Sequence, residues 1–562
     1  MVKFIFTKED KKLQDYLSKE CNISTITAQI LINRGLKTPE DIEKFLNISL
    51  EKLTHPFKML NLEKASKRIS EAIIKNEKIG VFGDYDVDGI TSTAVLINFF
   101  HEIGYRNITW HIPTRDEGYG LNKEVIKNFS EKSVKVIITV DCGIQNFSEV
   151  EYANSLGIDV IVTDHHEPSE KIPEAFAVVN PKQKDCPFPF KELAGVGIAF
   201  YLIMGLRIKL REIGIIKNNV NLLKYLDLVA IGTIADICPL IYENRIFVKF
   251  GLNQIKNSIR PGIKALRQLC YLENKKINYW DVGFKIAPRL NAAGRISDPQ
   301  KALKLLITDN YAQALEISNE LNKNNYERQK IEEKIITEAI KLIEKNDKIK
   351  TKKSIVLYSD SWHEGVIGIV SSKLVEKYYK PTILISFSGD LGKGSARSIK
   401  DFDIFNGIKM CEEFLESFGG HKLAGGLMIK RDNINDFIDA FESIVNRLTT
   451  KEHFIKKVFI DKVITLDEIN DNFLSELSRL SPFGPANEEP LLFANDILVT
   501  DIKNFGLNHL QLKVEKNNNA FDAVGFNIGN KNIELGDSVN IAFMPYIENN
   551  NIKLKIKFIE KM

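Results

Sequence analysis

Apolar positions along this chain follow two rhythms. At residues 78–81, 134–140 and 159–162, short apolar runs stop at Gly83-Asp84, at Asp141 and at Asp164. Such runs predict strands of a parallel sheet covered on both faces. Amphipathic stretches such as residues 91–103 lie between them and predict helices, so the region is organised as a doubly wound α/β domain. Ahead of it, residues 1–60 predict short helices with polar breaks. Residues 299–346 predict a connecting helix, with Ala314, Ile317 and Leu321, then Ile331, Ile335 and Ala339 at turn spacing. Its middle, residues 322–330, is almost wholly polar, as in a helix bridging two domains. A second α/β unit follows over residues 347–448. The remainder, 455–562, is rich in strands; residues 552–558 alternate apolar and polar strictly, the pattern of a strand with one buried face.

This is a multidomain α/β chain, and at 562 residues it is too long for one core. The start lacks the apolar core of a signal peptide, and no apolar stretch reaches the ~18 residues that span a bilayer. Six scattered cysteines form no C-x-x-C pair, which argues against a disulfide framework or a zinc ribbon and for a reducing, cytoplasmic setting. A formal net charge of +3 gives no overall basic signature for nucleic-acid binding, and without a coiled-coil heptad it predicts a monomer.

The chemistry concentrates where apolar runs end. Asp84, Asp86 and Asp88 share one short turn, Asp141 follows the next run, and Asp164-His165-His166 follows the third; Asp236 ends the run 228–234. In an open parallel sheet the carboxyl ends of neighbouring strands face one crevice. A single Asp after a strand is more often a helix N-cap, but a cap needs only one of three. Five or six carboxylates in one crevice repel unless cations compensate. Carboxylates with a neutral imidazole, and no thiolate, suit Mn²⁺ or Mg²⁺ better than zinc. Two such ions activate water and stabilise in-line displacement at phosphorus. The implied reaction is phosphoester hydrolysis.

At these residues the sequence resembles the RecJ-like exonucleases of the DHH phosphoesterase superfamily. The triplet Asp164-His165-His166 and the run Asp84-Tyr85-Asp86-Val87-Asp88-Gly89 carry the resemblance. So do Gly232-Thr233-Ile234-Ala235-Asp236, Pro288-Arg289-Leu290-Asn291-Ala292-Ala293-Gly294-Arg295, Trp362-His363-Glu364-Gly365 and Gly419-Gly420-His421-Lys422-Leu423-Ala424-Gly425-Gly426. The resemblance implies a DHH domain over 61–298, a DHH-associated domain over 347–448 and an OB-like nucleic-acid-binding barrel over 455–562. It implies a 5′→3′ exonuclease on single-stranded DNA in repair and recombination, with a helicase and a single-strand-binding protein as partners. Metal positions carry over to Asp84, Asp86, Asp88, Asp141, His165 and Asp236, one of the three first-motif aspartates lying behind the ligands, and His166 to the scissile phosphate. Asp84, Asp86, Asp141, His165, His166 and Asp236 form the catalytic set.

Gly392-Lys393-Gly394-Ser395-Ala396-Arg397-Ser398 reads as a phosphate-cradling loop, and the resemblance makes Ser395, Arg397 and Arg115 candidates for the 5′-terminal phosphate. Arg289 and Arg295 flank Asn291 in what reads as a small-residue turn contacting the strand, with carboxylate pairing as the alternative. His363 and His421 are substrate candidates whose other reading is capping or core. Two positions depart from the family pattern: Ala486 stands where glycine is expected, and the late glycine motif ends Leu423-Ala424-Gly425-Gly426. Two other readings compete with the exonuclease. One is a phosphodiesterase for short oligoribonucleotides or cyclic dinucleotides. The other is a non-catalytic DNA-binding scaffold, which would have no need of the complete ligand set found here.

Overall fold

The structure, a computed structural model, describes residues 2–216, 220–506, 508–528 and 532–562. The chain divides into a larger unit (residues 4–290, 299–318 and 459–562) and a smaller one (1–3, 291–298 and 319–458).

In the larger unit, β1 (Lys78–Gly83) leads into helix α1 (Val87–Glu102), followed by β2 (Ile108–His111), β3 (Val134–Val140), β4 (Asp159–Thr163) and β5 (Ala177–Val179). The sheet order is β2-β1-β3-β4-β5 and every pair is parallel. Register does the positioning. Gly83 pairs with Val140 and Val140 with Thr163, so the residues after β1, β3 and β4 start from one level. The ladder runs one step further, Asp141 N–H donating to Thr163 O and Asp164 N–H to Val179 O.

Helices α2 (Gly195–Glu212) and α3 (Leu226–Ala235) pack beside α1. All nine residues from Leu226 to Ile234 are buried, which explains why this stretch carries no amphipathic rhythm. Asp236 therefore sits at the C-terminal cap of a helix and not at a strand end as the sequence suggests. A Cβ at Gly232 would lie 2.8 Å from Val196 and 2.9 Å from the Asp88 carboxylate, so glycine lets α3 approach α1 and α2 closely.

Residues 287–296, expected as a turn, form helix α4 (Ala287–Ile296) after one π-helical turn, Val282–Ile286. Ala292 and Ala293 are fully buried, so their small size serves packing. The expected connecting helix is two helices, Gln300–Ile307 and the 35-residue α5 (Tyr311–Lys345).

The smaller unit carries β6 (Ile355–Ser359), α6 (Glu364–Tyr378), β7 (Thr382–Ser388), β8 (Leu391–Arg397), β9 (Leu415–His421) and β10 (Ala424–Lys430). The sheet order is β9-β10-β8-β7-β6. The expected loop at Gly392–Ser398 is mostly the central strand β8. Its glycines answer large side chains on neighbouring strands: a Cβ at Gly394 would lie 2.7 Å from Leu427, and one at Gly392 2.7 Å from Phe387. That requirement comes from cross-strand packing and is invisible locally.

The C-terminal region closes into a five-stranded barrel of β11 (Leu492–Phe505), β12 (His509–Lys516), β13 (Asn519–Gly525), β14 (Ser538–Glu548) and β15 (Asn551–Lys561). β11 pairs with both β12 and β14, and β13 runs parallel to β15. Its core continues into the N-terminal helices: Leu17, Ile26, Leu31 and Ile42 share one apolar cluster with Phe473, Leu477 and Phe543. Glu476 accepts from Ser24 N–H at 2.9 Å and Ser24 Oγ–H at 2.6 Å across that join. Among the described residues no helix is long and apolar enough to cross a membrane.

Candidate metal centre

The aligned ends of β1, β3 and β4 put Asp84, Asp141 and the Asp164-His165-His166 triplet in one place. Asp86 is the N-cap of α1, its Oδ1 accepting from Asp88 N–H at 2.8 Å and Gly89 N–H at 3.1 Å. Capping uses only one of its oxygens. Asp88 is 1% exposed, and both its oxygens are engaged by the amides that begin α2: Gly195 N–H donates to Oδ2 at 2.6 Å and Val196 N–H to Oδ1 at 2.8 Å. Asp141 takes a left-handed backbone, φ 62°, unusual for a side-chain-bearing residue and the kind of strain that collects at functional sites.

Three groups of donor atoms lie within 4.8 Å of one another: Asp84, Asp86 and Asp141; Asp141, His165 and His166; and His165, Asp236 and Cys238. The sets overlap at Asp141 and His165 and form one continuous line of donors. His165 Nε2 lies 3.0 Å from Asp141 Oδ1, 3.8 Å from Asp236 Oδ2 and 4.0 Å from Asp88 Oδ2. Among the described residues no hydrogen-bond partner meets the buried Oδ1 atoms of Asp84 and Asp141. Orphaned anionic oxygens in a buried cluster are costly unless something positive meets them. Burial, then Asp86, pushes the Asp84 carboxyl up to about 8. Burial first and neighbouring carboxylates second also raise Asp86, Asp88 and Asp141. Burial pulls His165 down, keeping the imidazole neutral with a lone pair to give. Carboxylate oxygens with a neutral imidazole fit hard divalent cations.

Asp164, the first residue of the triplet, offers no ligand; it is the support. Its oxygens accept from the N–H groups of Ile144 at 2.9 Å, His165 at 2.7 Å and His166 at 3.1 Å. Its Oδ1 is also 2.7 Å from His166 Nδ1, which Tyr119 OH approaches at 3.1 Å. Burial opposes a charged His166, but the Asp164 bond and charge outweigh it and push His166 up to about 9. Arg115 lies with its guanidinium 4.5 Å over the Tyr85 ring, and its charge lowers Asp84.

Arg289 belongs to the larger unit, where its Nη1 donates to Lys285 O at 2.6 Å. Asn291, Arg295, His363, Ser395, Arg397 and His421 belong to the smaller unit. There His363 is the N-cap of α6, Nδ1 accepting from Gly365 N–H at 3.1 Å, and Arg295 Nη1 donates to Gly365 O at 2.9 Å. Gly368, in the next turn of α6, meets β8: a Cβ there would lie 2.8 Å from Ser395 Oγ and 3.3 Å from Arg397 Nη2. Arg397 donates to Ala396 O at 2.7 Å and Ser395 Oγ at 3.3 Å; burial lowers it, and among the described residues no carboxylate pairs with it. His421 is exposed and pairs with Ala424, which pairs with Arg397 across β10. Among the described residues no hydrogen-bond partner meets the buried Asn291 Oδ1.

Sequence reasoning missed the supporting role of Asp164, the Tyr119 hydroxyl, the Gly195 and Val196 amides, and Cys238. Only Tyr119 carried a signal, four residues after Arg115 in one glycine-bounded stretch.

A parallel sheet with an aspartate-rich turn after β1 and an Asp-His-His triplet after β4 defines a phosphoesterase of the DHH class. The family model for the DHH family, N-terminal domain, matches residues 78–233, the DHHA1 domain 351–447 and the RecJ OB domain 460–560. The single-stranded-DNA-specific exonuclease RecJ of Bacillus subtilis is 38% identical over 518 residues, covering 91% of this chain; the chain spans 64% of that relative's length. RecJ of Escherichia coli is 35% identical over 516 residues, covering 89% of this chain and 88% of the relative. The crystal structure of RecJ with Mn²⁺ from Thermus thermophilus superposes with a TM-score of 0.84 at 27% identity, covering 100% of this chain and 80% of that one. A Mg²⁺ complex of the same protein gives a TM-score of 0.77 at 25% identity. The chain belongs to the RecJ family.

Proposed function

We propose that the protein is a single-stranded-DNA-specific exonuclease that hydrolyses phosphodiester bonds in the 5′→3′ direction and serves DNA repair and recombination. The observation that carries this reading is the continuous line of donors from Asp84 to Asp236, with buried oxygens of Asp84 and Asp141 unsatisfied. Asp84, Asp86, Asp141, His165 and Asp236 would hold two divalent cations; the similar RecJ of Thermus thermophilus was crystallised with Mn²⁺ and with Mg²⁺. Bound there, such ions lower the pKa of a water and neutralise charge at phosphorus. Asp88, with both oxygens committed to α2, fixes the entry of α1 and adds negative potential from behind.

The chain's own groups supply the rest. His166, held through Nδ1 by Asp164 and Tyr119, keeps Nε2 for the scissile phosphate and carries positive charge to it. Arg115 adds a cation beside Asp84. Ser395, Arg397 and the N-terminus of α6 would supply donors to a terminal phosphate, with Arg289, Asn291, Arg295, His363 and His421 as further strand contacts. A helicase and a single-strand-binding protein as partners, a monomeric state and a cytoplasmic location belong to this reading; six free cysteines support the last.

The test uses single-stranded DNA labelled separately at each end, incubated with Mn²⁺ or Mg²⁺ beside a duplex and a short RNA. The expected result is release of the 5′ label as a mononucleotide. Selective turnover of RNA or dinucleotide, or binding without cleavage in excess metal, would refute it.

A further inference from the structure

The sequence suggests a metal centre free of thiolates, yet the fold brings one thiol into it. Helix α3 ends at Ala235. Ile237 then takes φ 57°, and Cys238 N–H returns to Thr233 O at 3.3 Å, the reversal that ordinarily places a glycine at the Ile237 position. The turn swings Cys238 back to the face of Asp236, where it is 7% exposed and Sγ–H donates to Asp236 Oδ2 at 3.0 Å.

We propose that Cys238, with His165 and Asp236, makes one end of the centre a sulfur–nitrogen–oxygen site for a thiophilic divalent cation, Zn²⁺ above all, and that zinc held there inhibits hydrolysis. One donor atom from each of the three lies within 4.8 Å of the others. A fourth donor is at hand: Asp141 is 2% exposed, and its Oδ1 lies 3.0 Å from His165 Nε2. One thiolate, one imidazole and carboxylates are a donor set that four-coordinate zinc takes readily. Mn²⁺ and Mg²⁺ gain little from sulfur, and at nitrogen and sulfur sites Zn²⁺ binds more tightly than Mn²⁺. On binding, the thiol proton leaves to solvent and the freed sulfur pair goes to the metal. The zinc then occupies His165 and Asp236, two of the side chains needed by the activating ions. Binding stands on the geometry alone; inhibition rests on the proposed function.

The probe is Co²⁺, the spectroscopic stand-in for Zn²⁺, added to the metal-free full chain. Wild type is expected to show a near-ultraviolet thiolate-to-cobalt charge-transfer band that equimolar Zn²⁺ removes. Cys238→Ser and Cys238→Ala, checked for fold by circular dichroism, are expected to lack the band. Their zinc dissociation constant, measured against a chelating dye, should rise by about tenfold or more. At fixed Mn²⁺, the zinc concentration that halves each protein's own zinc-free nuclease rate should rise in step. A wild type without the band, or a band that survives in both variants, overturns the proposal. A wild type that cleaves single-stranded DNA but lacks the band loses only the zinc site; one that shows the band but cleaves nothing loses only the nuclease reading.

Discussion

The larger unit holds the clustered acids and the smaller unit holds Ser395 and Arg397, and the two place these side chains in different ways. In the larger unit the acids stand at element ends, Asp84, Asp141 and Asp236 just beyond one and Asp86 and Asp88 at the start of α1, and amides of helix N-termini hold Asp86 and Asp88 in place. In the smaller unit Ser395 lies within a central strand and Arg397 closes it, and glycines at 392, 394 and 368 make room for large neighbours and for the arginine itself. Acids placed by element ends are arranged locally; a guanidinium placed by cross-strand packing is arranged by residues far along the chain. The acidic cluster asks for cations, and Arg397, which among the described residues meets no carboxylate, suits an anion.

The comparison breaks most severely at Asp141, which belongs to two of the three donor sets. Asp141→Ala should lower the rate of nucleotide release at least about 10³-fold while leaving circular dichroism unchanged; near-normal rates would remove Asp141 from the centre. On the opposite side, Arg397→Ala should raise KM for 5′-phosphorylated single strands by about 10–100-fold, the scale of one charge-assisted hydrogen bond, with kcat little altered. The same variant should no longer distinguish a 5′-phosphate from a 5′-hydroxyl. If kcat falls and KM holds, Arg397 serves the chemistry instead of the grip. Asp164→Asn should be milder, about tenfold in kcat, because it loosens His166 without removing a donor; steady-state kinetics at saturating DNA would show it.

The smallest effect concerns Ala486, which sits at φ 59° where the family pattern expects glycine. Its loop keeps the glycine-type backbone, with Leu240 N–H donating to Pro485 O at 2.7 Å. Ala486→Gly should therefore stabilise the chain by about 1 kcal/mol and raise the thermal transition without changing turnover. A lower transition temperature would show that the strain is relieved elsewhere.

What could be read from sequence follows the same division. Mainly apolar runs ending in Asp locate β1, β3 and β4 and most of the donors, because strand, stop and acid are adjacent in the chain. Asp236 is legible as a candidate, but its helix is not: a helix buried all round loses the period that identifies it. Gly392 and Gly394 look like loop residues because Leu427 and Phe387, which demand their smallness, lie on other strands. The union of the N-terminal helices with the C-terminal barrel, sealed by Ser24 and Glu476, joins residues 452 positions apart, beyond any local pattern. Cys238 is a plain residue in sequence and becomes a donor only through the reversal at Ile237.

On this reading the acidic line captures a pair of divalent cations. That capture is tested most directly by titrating the metal-free chain with Mn²⁺ and following the bound ion by electron paramagnetic resonance, in wild type and Asp141→Ala. Two Mn²⁺ per wild-type chain with spin coupling between them, and weakened binding of both in Asp141→Ala, is the predicted result. A wild type that binds no Mn²⁺, or a variant whose binding matches the wild type, would contradict it.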